Sequence, residues 1–175
     1  MFGRERVSQQ ISSWLNRPST ERCLTEQRAE TLNRIAFFAR LRAEDRRALG
    51  AASVVRSYPA GAQLVREGQR PGVGLYVILR GRVGLTQRGA SDDVRMLGML
   101  GSGEMFGEMA LIDELPRSAT ATAIEPTLAF VIPIFDFRAV LLRSPDAAAA
   151  LLAQLSLRIR EAEAARSSGW NGWNG

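Results

Sequence analysis

Short hydrophobic runs separated by glycine turns occupy the middle of this chain, between about residue 53 and residue 133. β-Branched and aromatic residues recur in these runs, which is typical of strands. The turns contain Gly61, Gly68 and Gly81, and glycine supplies the positive φ that tight turns require. Strands at this spacing predict an antiparallel sandwich or barrel. The predicted strands are residues 53–58, 63–66, 74–80, 82–87, 94–99, 118–124 and 128–133.

Helical periodicity precedes the strands. Apolar residues recur at positions i, i+4, i+7 and i+8 of a first predicted helix, and they are Val7, Ile11, Trp14 and Leu15. We expect this helix to pack on the domain, and docking of its Trp14 face on a partner or a membrane surface is the alternative. A second helix is expected after the break at residues 17–20, and its predicted buried residues are Leu24, Leu32 and Ile35.

Two helices are predicted after the strands, over residues 135–143 and 146–166. Apolar residues of the second one repeat at intervals of three, four and three, and they are Leu152, Leu155, Ile159 and Ala162. We expect this seam to cover the mouth of the barrel, with homodimerisation along it as the alternative. The chain then divides into a helical N-terminal extension (1–33), a main domain (34–166) and a flexible Gly/Trp/Asn tail (167–175).

The composition argues against an enzyme. All 23 basic residues are arginine, because the chain has no lysine, and it also has no histidine. A P-loop, a kinase site, a Schiff base and a Ser-His-Asp triad each require one of these missing residues. Cys23 is the only cysteine, so neither a zinc site nor an internal disulfide is expected. The sequence therefore predicts a protein that is not an enzyme and that holds no metal and no cofactor.

The net charge of +5 does not by itself indicate a nucleic-acid surface. Arginines are spread along the chain and often stand beside Asp or Glu, as in residues 42–47, which is typical of a solvated helix face. No stretch approaches the ~18 apolar residues of a membrane span. Residues 1–6 lack the apolar run of a signal peptide. A cytoplasmic protein without a transmembrane segment is therefore expected.

Residues 107–117 combine an anion site with an acceptor for a hydroxyl group. A short helix is predicted to open at Gly107 with Glu108 in its first turn, and Arg117 follows nine residues after Glu108. Free backbone amides at the start of a helix attract an anion, and an arginine adds a charge-assisted hydrogen bond. A carboxylate repels that anion but accepts a hydrogen bond from a hydroxyl on the same ligand. A sugar phosphate meets both requirements.

This segment resembles the phosphate-binding cassette of the cyclic nucleotide-binding domain family. Residues 106–120 read FGEMALIDELPRSAT. They match the family pattern Phe-Gly-Glu-(Leu/Met)-Ala-Leu, four spacers, then Pro-Arg-(Ala/Ser/Thr)-Ala-Thr. The resemblance implies a mainly β fold, an antiparallel β jelly-roll barrel with N-terminal helices and a C-terminal lid helix.

The resemblance also assigns roles within the cassette. It implies that Glu108 accepts a hydrogen bond from the ribose 2′-hydroxyl and that Arg117 binds the cyclic phosphate. Backbone amides near Ala110 and Ser118 are implied to complete the phosphate site. The full set of implied ligand-binding residues is Gly107, Glu108, Met109, Ala110, Arg117, Ser118, Ala119 and Arg158.

The resemblance is nearest to the domains of bacterial cyclic nucleotide-gated potassium channels and of cAMP-dependent kinase regulatory subunits. The spacing of Arg117, Phe137, Pro145 and Arg158 matches that of the channel domains, in which an arginine on the last helix closes over the purine. Arg158 is therefore implied to be a lid residue, and a surface arginine is the alternative. Ser118 stands where cGMP-binding members often carry a hydroxyl, and members with serine at this position can accept both nucleotides. The resemblance therefore implies cAMP as the ligand, with cGMP tolerated.

The expected function is that of a stand-alone cyclic nucleotide sensor or regulatory subunit. Ligand binding is expected to change the C-terminal helix, and a separate partner is expected to receive the signal. About nine residues follow the last helix, too few for a helix-turn-helix, so no DNA-binding domain is expected. Besides the nucleotide, a protein partner or further copies of the chain are expected to bind the C-terminal helix or the N-terminal extension. The alternative is a structural or assembly module with a vestigial nucleotide pocket.

Overall fold

The structure is a computed structural model that describes residues 21–70, 74–89, 93–113 and 115–168. The predicted Trp14 helix lies outside the described residues, as do residues 169–175 of the predicted tail. The division of the chain after residue 33 stays a prediction.

Helices flank a strand-rich middle, as the hydrophobic pattern predicts. Within the described ranges the helices are α1 (Glu21–Asn33), α2 (Ala36–Ala39), α3 (Ala43–Ala52), α4 (Met109–Ile112), α5 (Ile134–Arg143) and α6 (Pro145–Ser168). The strands are β1 (Val54–Tyr58), β2 (Gln63–Val65), β3 (Gly74–Arg80), β4 (Val83–Arg88), β5 (Val94–Leu100), β6 (Met105–Phe106), β7 (Thr120–Ala123) and β8 (Thr127–Pro133).

The strands form two antiparallel sheets, one with the order β1-β8-β3-β6 and the other with the order β2-β7-β4-β5. Val77 on β3 lies opposite Phe130 on β8, and Leu85 on β4 lies opposite Ala121 on β7. Side chains from both sheets share one buried hydrophobic cluster, so the sheets pack face to face. The predicted mainly β, antiparallel jelly-roll fold with flanking helices is confirmed.

Strand β3 is covered on both of its faces. Leu75, Val77 and Leu79 pack in a cluster with the helices, whereas Tyr76 and Ile78 pack in the cluster between the sheets. Successive side chains of a strand point to opposite faces. A strand that is buried on both faces therefore carries apolar residues at every position instead of alternating apolar and polar ones. This double burial explains why the sequence of β3 is a continuous apolar run.

Strand β6 is not among the predicted strands. It has only two residues, Met105 and Phe106, which are too few to show a periodic pattern. Phe106 pairs with Tyr76 of β3, and the two rings stack with their centroids 4.9 Å apart. Because residue 107 follows directly, this pairing fixes where the predicted ligand-binding segment begins.

Helix α1 ends earlier than its apolar pattern suggests. The amides of Arg34 and Ile35 donate to the carbonyls of Thr31 and Leu32, which tightens the chain into a turn after Asn33. Ile35 is therefore buried in a turn, not on the face of the helix as predicted. Leu32 is fully buried, as predicted, whereas Leu24 is half-buried.

Two residues of the apolar seam predicted on the last helix face solvent and do not cover the barrel. Leu152 and Ile159 are 67% and 59% exposed, whereas Leu155 is half-buried and packs against the core. The buried face of α6 instead carries Ala147, Ala150 and Leu151, because small side chains let the helix approach the core closely. Among the described residues, no helix combines the length and the apolar character that a membrane span needs.

Asp45 joins the helices that precede the strands to those that follow them. Its side chain is fully buried, and it accepts hydrogen bonds from Arg42 Nε at 3.3 Å and from Arg143 Nε at 3.0 Å. Arg143 Nη2 lies 3.0 Å from the same carboxylate. A buried carboxylate needs such partners, so this contact fastens α3 to α5.

Candidate ligand-binding site

The turn between β6 and α4 is built around a glycine. Gly107 has a φ of +89°, a conformation that side chains disfavour. A Cβ atom at this position would lie 2.5 Å from Arg117 Nη1. Residue 107 therefore has to be glycine both for its backbone conformation and for the space that Arg117 occupies.

Arg117 is held rigidly at the centre of this turn. Its side chain is buried, and Nη1 and Nη2 donate to the carbonyls of Gly107 and Gly74 at 2.8 and 2.9 Å. Its backbone amide donates to the carbonyl of Gln69, and its carbonyl accepts from the amide of Gly68. These bonds leave Nε as a buried donor without a hydrogen-bond partner among the described residues.

Burial also sets the electrostatics of Arg117. Loss of solvation lowers the pKa of its guanidinium, while Tyr76 and the carboxylate of Glu108 act in the opposite direction. An arginine nevertheless keeps its charge at any physiological pH. The turn therefore presents a fixed, poorly solvated positive charge.

Glu108 supplies the opposite charge. Its side chain is 1% exposed, and Oε1 accepts a hydrogen bond from Arg158 Nη1, on α6. The second guanidinium nitrogen of Arg158 donates to the carbonyl of Met105. Oε2 of Glu108 is buried and has no hydrogen-bond partner in the described part of the chain. It is therefore an acceptor whose hydrogen-bonding capacity is unfilled.

These side chains line one cavity of about 140 Å³. Glu108, Arg117 and Arg158 contribute its charged groups, and apolar side chains such as Val65 and Leu85 contribute much of the remaining wall. Binding pockets for small molecules usually measure roughly 300–1,000 Å³. The cavity is therefore small for a whole nucleotide while Arg158 stands in its wall.

Four of the other predicted site residues, including Gly107, line this cavity. Met109 and Ala119 line it, and Ser118 lines it with an exposed side chain. The carbonyl of Ser118 accepts a hydrogen bond from Gln87 Nε2 at 3.0 Å. Ala110 lies in α4, which begins at Met109, so Glu108 precedes this helix and is not in its first turn as predicted.

The sequence matches a known family over this region. Residues 55–144 match the cyclic nucleotide-binding domain, more than half of the chain and all of the cassette. The chain belongs to the cyclic nucleotide-binding domain family. Members of this family are regulatory ligand-binding domains, not catalytic ones.

Individual relatives share both the sequence and the fold of this cyclic nucleotide-binding domain. The cyclic AMP receptor protein of Thermus thermophilus is 40% identical over 108 residues, which cover 62% of this chain and 50% of that protein. A crystal structure of a cyclic nucleotide-binding domain from Methylobacillus flagellatus has a TM-score of 0.70 and 28% identity, and 85% of each chain is covered.

One of the predictions about partners is wrong. A CRP-like cAMP-activated global transcriptional regulator of Mycobacterium tuberculosis is 31% identical over 103 residues, which cover 59% of this chain and 46% of that protein. This chain thus spans about half the length of the curated relatives it matches. The prediction that excluded a DNA-binding domain rested on the short segment after the last helix. It does not hold for a domain whose relatives are transcriptional regulators.

Several contacts of the cyclic nucleotide-binding domain could not be read from the sequence. Gly74 and Met105 act through their carbonyl groups, which every residue possesses, so their identities give no signal. Gly74 itself has a packing reason, because a Cβ there would lie 2.5 Å from the carbonyl oxygen of Ile132. Arg158 also donates a hydrogen bond to Glu108, and the predicted lid role does not include this contact.

Proposed function

We propose that this domain is a regulatory sensor that binds cAMP and tolerates cGMP. Binding changes the position of α6, and a separate partner reads that change. The proposal rests above all on two buried polar atoms, Arg117 Nε and Glu108 Oε2. Each lacks a hydrogen-bond partner among the described residues, and both belong to side chains that line the same cavity.

These two atoms have complementary chemistry. Nε is a donor on a fixed positive charge, and Oε2 is an acceptor on a negative charge. Buried polar groups are costly unless they are paired, so a ligand that satisfies both atoms gains binding free energy at each. A cyclic nucleotide carries an anionic phosphate fused to a ribose whose 2′-hydroxyl can donate. Few simple anions offer both groups.

The charges orient the ligand. Repulsion from Glu108 keeps the phosphate on the Arg117 side, where backbone amides near Ala110 and Ser118 add further donors. The 2′-hydroxyl then faces Glu108 Oε2. In this orientation Gly107 and Met109 contact the phosphate side of the ligand, and Ala119 contacts its apolar surface.

The preference for cAMP is supported by relatives whose names specify that nucleotide. Tolerance of cGMP is proposed from Ser118, whose side chain is exposed beside the cavity. Its hydroxyl can donate or accept, so it can contact guanine without preventing adenine from binding. A lid role for Arg158 over the purine, a cytoplasmic location and the absence of catalytic activity stay predictions.

Calorimetric titration of the nucleotide-stripped protein with cAMP, and then with cGMP, tests the proposal. We expect saturable one-to-one binding at micromolar affinity or tighter, with cAMP preferred. Arg117→Ala should weaken cAMP binding at least ten- to a hundredfold, because a hydrogen bond to a charged group contributes about 1.5–3 kcal/mol. Arg160→Ala, an exposed arginine on α6, is the matched control and should bind like the unmodified chain. No heat with either nucleotide from folded protein would reject the sensor and favour the assembly module.

A further inference from the structure

Arg158 occupies one oxygen, Oε1, of the carboxylate whose other oxygen we assign to the ribose. Its Nη1 atom donates to Glu108 Oε1, and its Nη2 atom donates to the carbonyl of Met105. Arg158 is on α6, whereas Glu108 and Met105 lie on either side of Phe106 at the end of β6. A single guanidinium therefore fastens the last helix to the ligand-binding turn.

This contact conflicts with nucleotide binding. Arg158 forms part of the wall of a cavity that measures only about 140 Å³, below the roughly 300 Å³ at which small-molecule pockets begin. Displacement of Arg158 from this wall would enlarge the cavity for a nucleotide. Leaving Glu108 buried and without a donor is unfavourable, so a ligand that takes the place of Arg158 has to bring a donor of its own.

We propose that Arg158 competes with the nucleotide for Glu108. Arg158 holds α6 on this carboxylate until a ribose 2′-hydroxyl replaces it as the donor. The inference rests on the proposed function, since it assumes that Glu108 binds the ribose. The contact between Arg158 and Glu108 then influences both the affinity for the nucleotide and the specificity for ligands that carry a ribose. A phosphate without a ribose can reach Arg117, but it supplies no donor to release Arg158 from Glu108.

The protein offers the displaced side chain a second position. Arg158 also lines a neighbouring cavity of about 320 Å³, which lies between α6, the residues around α2 and the turn from β5 to β6. Glu104 and Glu161 line the same cavity together with Arg40, so its wall carries two negative charges and one positive charge besides Arg158. Glu161 is three residues after Arg158 on α6, a spacing at which opposite charges pair on a helix. Pairing with Glu161, on the same helix, gives the released guanidinium another carboxylate and frees α6 from Glu108.

Association kinetics separate this competitor from a simple lid. If binding waits for Arg158 to leave Glu108, the observed association rate is the intrinsic rate multiplied by the fraction of released molecules. We expect Arg158→Gln to raise the association rate constant of a fluorescent cAMP analogue in stopped-flow measurements by about tenfold. Arg160→Gln, the matched control on the same helix, should leave it unchanged. A lid that acts only after binding would change dissociation and not association.

A second variant covers the case in which Arg158→Gln folds poorly, as judged from its thermal unfolding. Glu108→Gln removes the charge that holds Arg158 but keeps an oxygen that accepts from the 2′-hydroxyl. It should also speed association. Association rates in both variants equal to or below that of the unmodified chain would overturn the proposal.

Hydrogen exchange of the nucleotide-free protein tests the same contact without a ligand. Backbone amides in the part of α6 around and after residue 158 should exchange faster in Arg158→Gln than in Arg160→Gln, because α6 has lost its attachment to β6. Equal exchange would contradict the proposal even if the unmodified protein binds cAMP. Failure of the unmodified protein to bind any cyclic nucleotide would instead reject the proposed function, so the two failures are distinguishable.

Discussion

Arg117 and Gly107 depend on each other. Arg117 Nη1 donates to the carbonyl of Gly107 at 2.8 Å, and a Cβ at residue 107 would lie 2.5 Å from the same nitrogen. The arginine thus fills the space that the absent side chain leaves free. The position of Arg117 therefore relies on a residue ten positions earlier in the chain. The direction of its buried, unpartnered Nε donor relies on the same residue.

Gly107→Ala should therefore weaken binding beyond its effect on stability. The positive φ of residue 107 makes any other side chain cost about 1–2 kcal/mol of folding free energy, and the new methyl group also displaces Arg117. We expect at least a tenfold loss of cAMP affinity by calorimetry. Gly103→Ala is the matched control, because Gly103 has a similar φ of +86° and no atom within 4 Å of its Cβ position. Equal losses in both variants would show that strain alone, and not Arg117, is responsible.

Glu108 should make the 2′-hydroxyl of the nucleotide essential. Its Oε2 atom is buried and has no hydrogen-bond partner among the described residues, so a ligand without that hydroxyl leaves this oxygen unpaired. We expect 2′-deoxy-cAMP to bind the unmodified chain about ten- to a hundredfold more weakly than cAMP, the equivalent of about 1.5–3 kcal/mol. In Glu108→Ala the two ligands should bind equally. A preference for cAMP that persists in this variant would place the 2′-hydroxyl elsewhere.

Much of this site follows from the sequence because its key side chains belong to one short segment. Residues 107–117 carry the glycine, the carboxylate and the arginine, so their spacing already indicates an anion beside a hydroxyl. The contact between Arg158 and Glu108 joins residues 50 positions apart. Such a pairing depends on where α6 packs, which local patterns do not determine.

The buried face of α6 shows the same limit. An apolar spacing of three and four residues predicts a seam through Leu152 and Ile159, yet the helix packs through Ala147, Ala150 and Leu151. Alanine contributes little to a hydrophobic pattern, but its small size allows close helix packing. The strands were predictable because glycine turns bound them, whereas β6 is too short to carry a pattern.

Ser118 should influence the choice between nucleotides without affecting the fold. Its side chain is exposed, and its carbonyl is held by Gln87, which fixes the backbone beside the cavity. Ser118→Ala removes a hydroxyl that can contact guanine, so we expect a severalfold loss of cGMP affinity and a smaller loss for cAMP. Competition titrations with both nucleotides give the ratio. An unchanged ratio would remove Ser118 from the specificity argument.

Asp45 should govern stability and leave ligand affinity intact. Its carboxylate is fully buried between Arg42 and Arg143. Asp45→Ala leaves two arginines without their acceptor and breaks the attachment of α3 to α5, so we expect a loss of about 3 kcal/mol in the free energy of unfolding.

Glu125→Ala is the control. Its ion pair with Arg82 is largely exposed, at 57% and 42%, and such a pair contributes at most about 1 kcal/mol. Denaturant unfolding measures both variants, and calorimetry under native conditions should give Asp45→Ala the cAMP affinity of the unmodified chain. Similar losses of stability in the two variants would show that the buried carboxylate does not fasten α3 to α5.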